Sequence, residues 1–312
     1  RVSGSLNDIQ GVVPFNDYKR YNLRIANTTN IGKKISIQPS VSYIRTDFTR
    51  PIRGANSYPL NLLRWPTELN LKNIEDANGN KVTAYAADPL LEIDNPLWNA
   101  KNVRASDVTD RFIYTLGVNI NPADWVSIQG RFGYDTYKME GYRFVHPQSF
   151  LTTAALRGSL DNFYRKYTGY NHTINATFKK SIGKFNGRLM VGNMWQDYNT
   201  QMYAVFGNRL VDKNRTDSSN TDPASRQRLY RALFGDYNQV LVRQMAYFGE
   251  FALSYKNMIF LNYTHRFETA SILPEQNRNY NYPGGSISFI MTDILPFLKK
   301  GDILSYWKLR TS

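Results

Sequence analysis

The stretch "AYFGEFALSYKNMIFLNYTHRFE", residues 246–268, alternates apolar and polar side chains on both sides of a Lys256-Asn257 step. Phe251, Leu253 and Tyr255 share one parity against Glu250, Ala252 and Ser254. Beyond the step, Ile259, Leu261, Tyr263 and Phe267 stand against Asn262, Thr264, Arg266 and Glu268. A period of two is that of a strand with one face out of water, so the segment reads as an antiparallel hairpin. Whether the greasy face meets a protein core or lipid decides the fold.

The pattern recurs along the chain. In "YKRYNLRIA" (18–26), Tyr21, Leu23 and Ile25 oppose Arg20, Asn22 and Arg24; after a polar turn, "KISIQPSVSYI" (34–44) sets Ile35, Ile37, Val41 and Tyr43 against serines and Gln38. Residues 111–120 turn at 121–124 into "WVSIQGRFGYDTY", where Val126, Ile128, Phe132 and Tyr134 oppose Ser127, Gln129, Arg131 and Asp135. "YNHTINATF" (170–178) with "RLMVGNMWQDY" (188–198), and "GGSISFIMTDI" (284–294) with "ILSYWKLRTS" (303–312), complete the series. That makes about ten strands of roughly nine to twelve residues, the length a tilted strand needs to cross a bilayer.

Connection lengths point the same way. Turns within each pair are short, whereas residues 45–110, 137–167, 199–244 and 269–283 form long connections between pairs, all at one end. Outer-membrane barrels have short periplasmic turns and long extracellular loops. Polar faces as uniform as Asn262, Thr264, Arg266 and Glu268 suit a wet lumen, with the apolar parity on lipid. The fold expected is therefore all-β, an antiparallel transmembrane β-barrel portion, with residues 1–312 part of one barrel domain. A soluble carbohydrate-binding β-sandwich is the competing reading.

Composition is permissive. The chain has 312 residues, a formal net charge of +14, no Cys, 22 Tyr, 17 Phe and 5 Trp. Its mean hydropathy of −0.49 does not exclude a barrel, because only alternate residues meet lipid. Without Cys there is neither a disulfide framework nor a thiolate metal site. Lys and Arg are scattered, with no run longer than the doublets Lys33-Lys34, Lys179-Lys180 and Lys299-Lys300, which argues against nucleic acid as a partner and leaves outer-membrane lipid or an acidic ligand.

"YKRYNLR" (18–24), "AYFGEFALSYKN" (246–257), "LNYTHRFE" (261–268), "YPGGSISF" (282–289) and "YWKLRTS" (306–312) resemble, in order and spacing, the barrel of SusC/RagA-type TonB-dependent outer-membrane transporters of Bacteroidota. The chain departs from the family's usual pattern at Glu268-Thr269-Ala270-Ser271 and Tyr282-Pro283-Gly284. The resemblance implies a barrel of about 22 strands around a plug, of which this chain would be an internal piece. It further implies import of oligosaccharides or peptides with energy from TonB, acting through a part of the protein outside this chain, and a SusD-like surface lipoprotein as lid. A barrel that anchors or secretes something without TonB-driven import is the alternative from another class.

Candidate ligand-binding residues are the aromatics of the long connections: Tyr58, Trp65, Tyr85, Trp98, Tyr142, Tyr164, Tyr203 and Tyr230, whose rings suit sugars and peptide side chains alike. Lumen-parity charges are Arg20, Arg24, Arg131, Arg188, Glu250 and Arg266, available to ligand or to plug. His146, His172 and His265 are far apart, so no metal site is expected of them. "DANGN" (76–80) has its Gly at the wrong place for a calcium loop and reads as a type I′ turn at Asn78-Gly79. Asp88, Glu92 and Asp94 are solvated loop charge or, less favoured, a cation site. No phosphate loop, nucleophile elbow or zinc-protease pattern occurs, so neither catalysis nor a cofactor is expected.

Overall fold

The computed structural model describes residues 1–54, 57–85, 92–152, 156–229, 238–299 and 304–312. Its strands are β1 (Val2–Gln10), β2 (Asp17–Ala26), β3 (Thr29–Ile31), β4 (Ile35–Pro51), β5 (Val103–Ala123), β6 (Val126–Val145), β7 (Ser159–Ile182), β8 (Phe185–Asn208), β9 (Gln227–Leu229), β10 (Gln239–Tyr255), β11 (Ile259–Ala270), β12 (Asn279–Ile290) and β13 (Lys308–Thr311). They form one antiparallel sheet in the order β1-β2-β4-β5-β6-β7-β8-β10-β11-β12-β13, with β3 added to β4 and β9 to β8. Each strand on that path lies beside its chain neighbour, so the wall is a simple meander. Among the described residues no helix is long and apolar enough to cross a membrane, which says nothing of strands.

Several expectations need correction. The about ten strands expected are present; β1, aligned from Val2↔Ile25 to Gln10↔Asp17, is an additional full-length one, and the three-residue β3 and β9 bring the sheet to thirteen strands among the described residues. Strands β5 to β8 run to 20 residues or more, so the long connections shrink to 52–102, 146–158, 209–238 and 271–278. The connection 11–16 is short although it lies at the long-loop end, which breaks the alternation of loop lengths. At the other extreme, β12 stops at Ile290 and the chain turns into a short helix, Met291–Ile294.

Register assigns every strand residue to one of two faces. Across the wall, Val41 pairs with Tyr114, Tyr114 with Tyr134, and Tyr134 with Tyr170; further on, Leu189 pairs with Phe251 and Phe251 with Tyr263. These rows are open: Tyr134 is 41% exposed, Leu189 43% and Tyr263 45%. On β8 the face reads Phe185, Gly187, Leu189, Val191, Asn193 and Trp195, then turns to Asp197, Asn199 and Gln201. Ten residue steps at about 3.4 Å, tilted by about 40°, rise about 25 Å, the height of an outer-membrane barrel's apolar band. Above that band the sheet continues for a comparable distance, as β7 does from Tyr170 back to Ser159.

A buried side-chain core lies outside the band, where residues 52–54, 57–85 and 92–102 fold over the upper ends of β5 and β6. Helices α1 (Tyr58–Arg64) and α2 (Pro96–Asn102) belong to this head. Ile52, Trp98, Val103 and Val145 form its buried cluster, with Ile74 and Leu151 packed against it. The Asn95 side chain caps α2 by accepting from the Leu97 and Trp98 amides at 2.9 and 3.2 Å, ahead of Pro96 in the first turn, where its missing N–H costs nothing.

Candidate functional site

Two regions carry the polar chemistry: the polar face of the wall and the head above it. On the wall, Arg20, Arg24, Arg131, Arg188, Glu250 and Arg266 share one face with Gln129 and Asn262, while Tyr21, Leu23, Ile25, Ile128, Phe132, Leu253, Leu261 and Tyr263 share the other. Arg188 is ion-paired to Glu250, which also accepts from Asn262 Nδ2 at 3.4 Å. Arg111 holds Asp135 with two nitrogens, Nε at 2.8 Å. Arg266 Nε meets Glu268 at 2.6 Å. Arg20, Arg24, Arg131, Lys179, Lys308 and Arg310 stand on this face with no acidic partner among the described residues.

Among the described residues, two hollows open on the polar face at the height of the apolar band. One of about 660 Å³ is bordered by Arg24, Gln38, Arg111, Arg131, Asp135 and Asn171. The other, about 510 Å³, is bordered by Lys179, Arg188, Glu250, Ser288, Lys308 and Arg310. Between them and above, Tyr137, Tyr167 and Tyr198 stack across three strands, with centroids 5.1 and 6.3 Å apart and planes within 20°. Phe248 lies over Gly192 of β8; a Cβ there would fall 2.4 Å from its ring, so only glycine admits this packing. Tyr198, Arg111, Lys308 and Arg310 were not among the residues expected at a site, although strand parity alone places all four on the polar face.

The head is held by a buried polar cluster. Asp94 is fully buried and accepts from Lys81 Nζ (2.6 Å), Ser149 Oγ (2.6 Å), Asn99 Nδ2 (3.0 Å) and the Phe150 amide (3.1 Å). The Lys81 ammonium also sits 3.5 Å from the centre of the Phe150 ring; burial draws its pKa down against the pull of Asp94. Glu92 accepts from the amides of Ala84, Tyr85 and Ile93. These carboxylates are thus neither solvated loop charge nor a cation site, and Asp88 lies outside the described residues. Among the described residues no group of three or more His, Asp or Glu could hold a metal ion.

His146 packs edge-on against Trp98 at 5.1 Å, and its Nδ1 accepts from the Gln148 amide at 3.2 Å. Burial first, then the charge of Lys213, depresses its pKa to about 4. The DANGN turn also differs from expectation. Gly79 has φ +74°, but Asn78 is not left-handed, and the Gly79 amide donates to Asp76 O at 3.0 Å. A four-residue turn closed by a left-handed glycine replaces the type I′ pair, with Asp76 accepting from the Asn78 and Asn80 amides.

Of the aromatics expected from sequence to bind ligand, Tyr142, Tyr164 and Tyr203 border one hollow, and the others among the described residues lie apart from them. Trp98 is buried in the head core, and Trp65 is nearly so, its Nε1 donating to Leu69 O at 3.4 Å. Tyr58 begins α1, and Tyr85 is exposed beside the Glu92 carboxylate that holds its amide. Tyr142, Tyr164 and Tyr203 lie on strands β6, β7 and β8, on the same side as the apolar band but above it, with Tyr164 and Tyr203 6.0 Å apart. Tyr230 lies outside the described residues.

No protein-family model and no curated protein sequence matches the chain. Solved structures do. The RagAB peptide transporter superposes on 95% of this chain with a TM-score of 0.72 at 15% identity, and the RagAB peptide importer in its closed-closed state on 99% with 0.73 at 15%. The ferric-catecholate import receptor Fiu from E. coli K12 covers 92% with a TM-score of 0.50 at 10% identity. The chain spans 32% and 34% of the two RagAB chains and 46% of Fiu. With its exposed apolar band, polar second face and meander topology, the chain has the fold of the outer-membrane barrel wall of a SusC/RagA-type transporter, about a third of whose length it spans.

Proposed function

We propose that residues 1–312 are part of a single transmembrane barrel that imports a large nutrient across the outer membrane with energy from TonB, peptides being the favoured cargo over oligosaccharides. The observation that supports this reading is the two-faced wall: an exposed apolar band of bilayer height backed by a polar face with hollows of about 510 and 660 Å³. The polar face is the lumen wall and conducts cargo without chemical change. TonB acts through a part of the protein outside this chain, and a SusD-like surface lipoprotein closes over the head. The test is uptake of labelled peptides and oligosaccharides by cells expressing the full-length protein, with and without a functional TonB. TonB-dependent peptide uptake is expected; uptake of neither class, or uptake indifferent to TonB, contradicts the reading.

A further inference from the structure

At the height of the apolar band the polar face carries more cations than acids. Where the apolar side turns polar, Lys19 pairs with Asp8 at 3.1 Å, Arg45 with Asp110 at 3.5 Å and Arg243 with Asp197 at 2.9 Å, while Lys138 and Lys166 stand opposite each other. On the polar face the acids at the height of the apolar band are already taken, Asp135 by Arg111, Glu250 by Arg188 and Glu268 by Arg266. Among the described residues Arg20, Arg24, Arg131, Lys179, Lys308 and Arg310 are left over, Lys179 standing opposite the Arg188 that Glu250 holds. A wall of one sign around a confined space also focuses and concentrates counter-ions.

From these cations at two hollows we propose that the cargo is anionic, specifically a peptide rich in Asp and Glu whose carboxylates are bound at the Arg24/Arg131 hollow and at the Lys179/Lys308/Arg310 hollow. The proposal rests on the import reading for its direction of travel, but its binding claim stands separately. Guanidinium groups pair two-pronged with carboxylates, and the Gln38, Asn171 and Ser288 side chains at the rims supply neutral hydrogen bonds to peptide groups.

The test uses the purified full-length protein in detergent and three peptides of equal length carrying the same neutral dye: one glutamate-rich, one uncharged, one lysine-rich. Anisotropy should show the acidic peptide binding at least about tenfold more tightly than the uncharged one, with affinity falling steeply as salt rises. Arg24→Gln/Arg131→Gln, Lys308→Gln/Arg310→Gln and their combination, each checked for a heat-modifiable folded barrel, should abolish that preference stepwise. Equal binding of all three peptides overturns the proposal, as does an acidic preference that the combined variant retains. A uronate oligosaccharide binding where the acidic peptide does not would overturn the choice of peptide. Acidic-peptide binding without any cellular uptake would support the inference while the import reading fails.

Discussion

Leu261 and Asn262 are adjacent in sequence and lie on opposite faces of β11, Leu261 across from Leu253 and Ile287, Asn262 within reach of Glu250. An Arg on the lipid face near mid-bilayer costs about 2 to 4 kcal/mol, whereas an Arg beside Glu250 gains a carboxylate partner. Leu261→Arg should therefore lower the yield of folded barrel and Asn262→Arg should not, as read by heat-modifiable migration of outer-membrane fractions; equal yields or the reverse order would contradict the facing. His146 supports a second prediction at this scale. Its folded pKa, about 4, lies below the unfolded value near 6.5, so the neutral form is the one the head accommodates. The stabilisation is fully present above about pH 6.5 and is lost as pH falls toward 4, amounting to about 2 kcal/mol by pH 5. Protease resistance of the head should fall between pH 7 and pH 5 in the parent and change less in His146→Phe; identical pH profiles would refute the role given to His146.

Strands β5 to β8 show why part of the fold was legible in sequence and part was not. Alternation of apolar and polar residues reports the contrast between lipid on one side and water on the other. It is plain from Phe112 to Ile120, and it fades at Lys138-Met139-Glu140, because above the apolar band both faces of the same strand are polar while the ladder hydrogen bonds continue. β1 escaped for a related reason: Gly4 and Asp8 interrupt its apolar parity. The head was illegible because Asp94 and Lys81 look like loop charge until Ser149, distant in sequence, closes the cluster. Which residues share a face was readable from parity, but which aromatics come together was not: Tyr137, Tyr167 and Tyr198 meet only through the register of three strands. Hydrogen exchange discriminates strand from loop here. Backbone amides of residues 159–168 and 199–208 should exchange as slowly as those of 170–178, and exchange at free-loop rates would contradict the extended wall.

For the whole molecule, the short connections 27–34, 124–125, 183–184 and 256–258 lie at one end of the wall and the head at the other. Asn220 is buried and unsuited to labelling, whereas Asn78 and Asn214 are exposed. Single Cys at Asn78 and Asn214 should react with a membrane-impermeant reagent on intact cells, while Cys at Asn30 and Ala123 should not; the reverse pattern would invert the orientation. The account depends above all on the apolar face meeting lipid. Its most direct test places a fluorophore at Leu189, Met190, Val191, Leu261 or Asn262 of the full-length protein in bilayers and compares a lipid-borne with a water-borne quencher. The account predicts strong lipid quenching at 189, 191 and 261 and weak lipid quenching at 190 and 262. Quenching that fails to alternate with parity, or that alternates the other way, would contradict it.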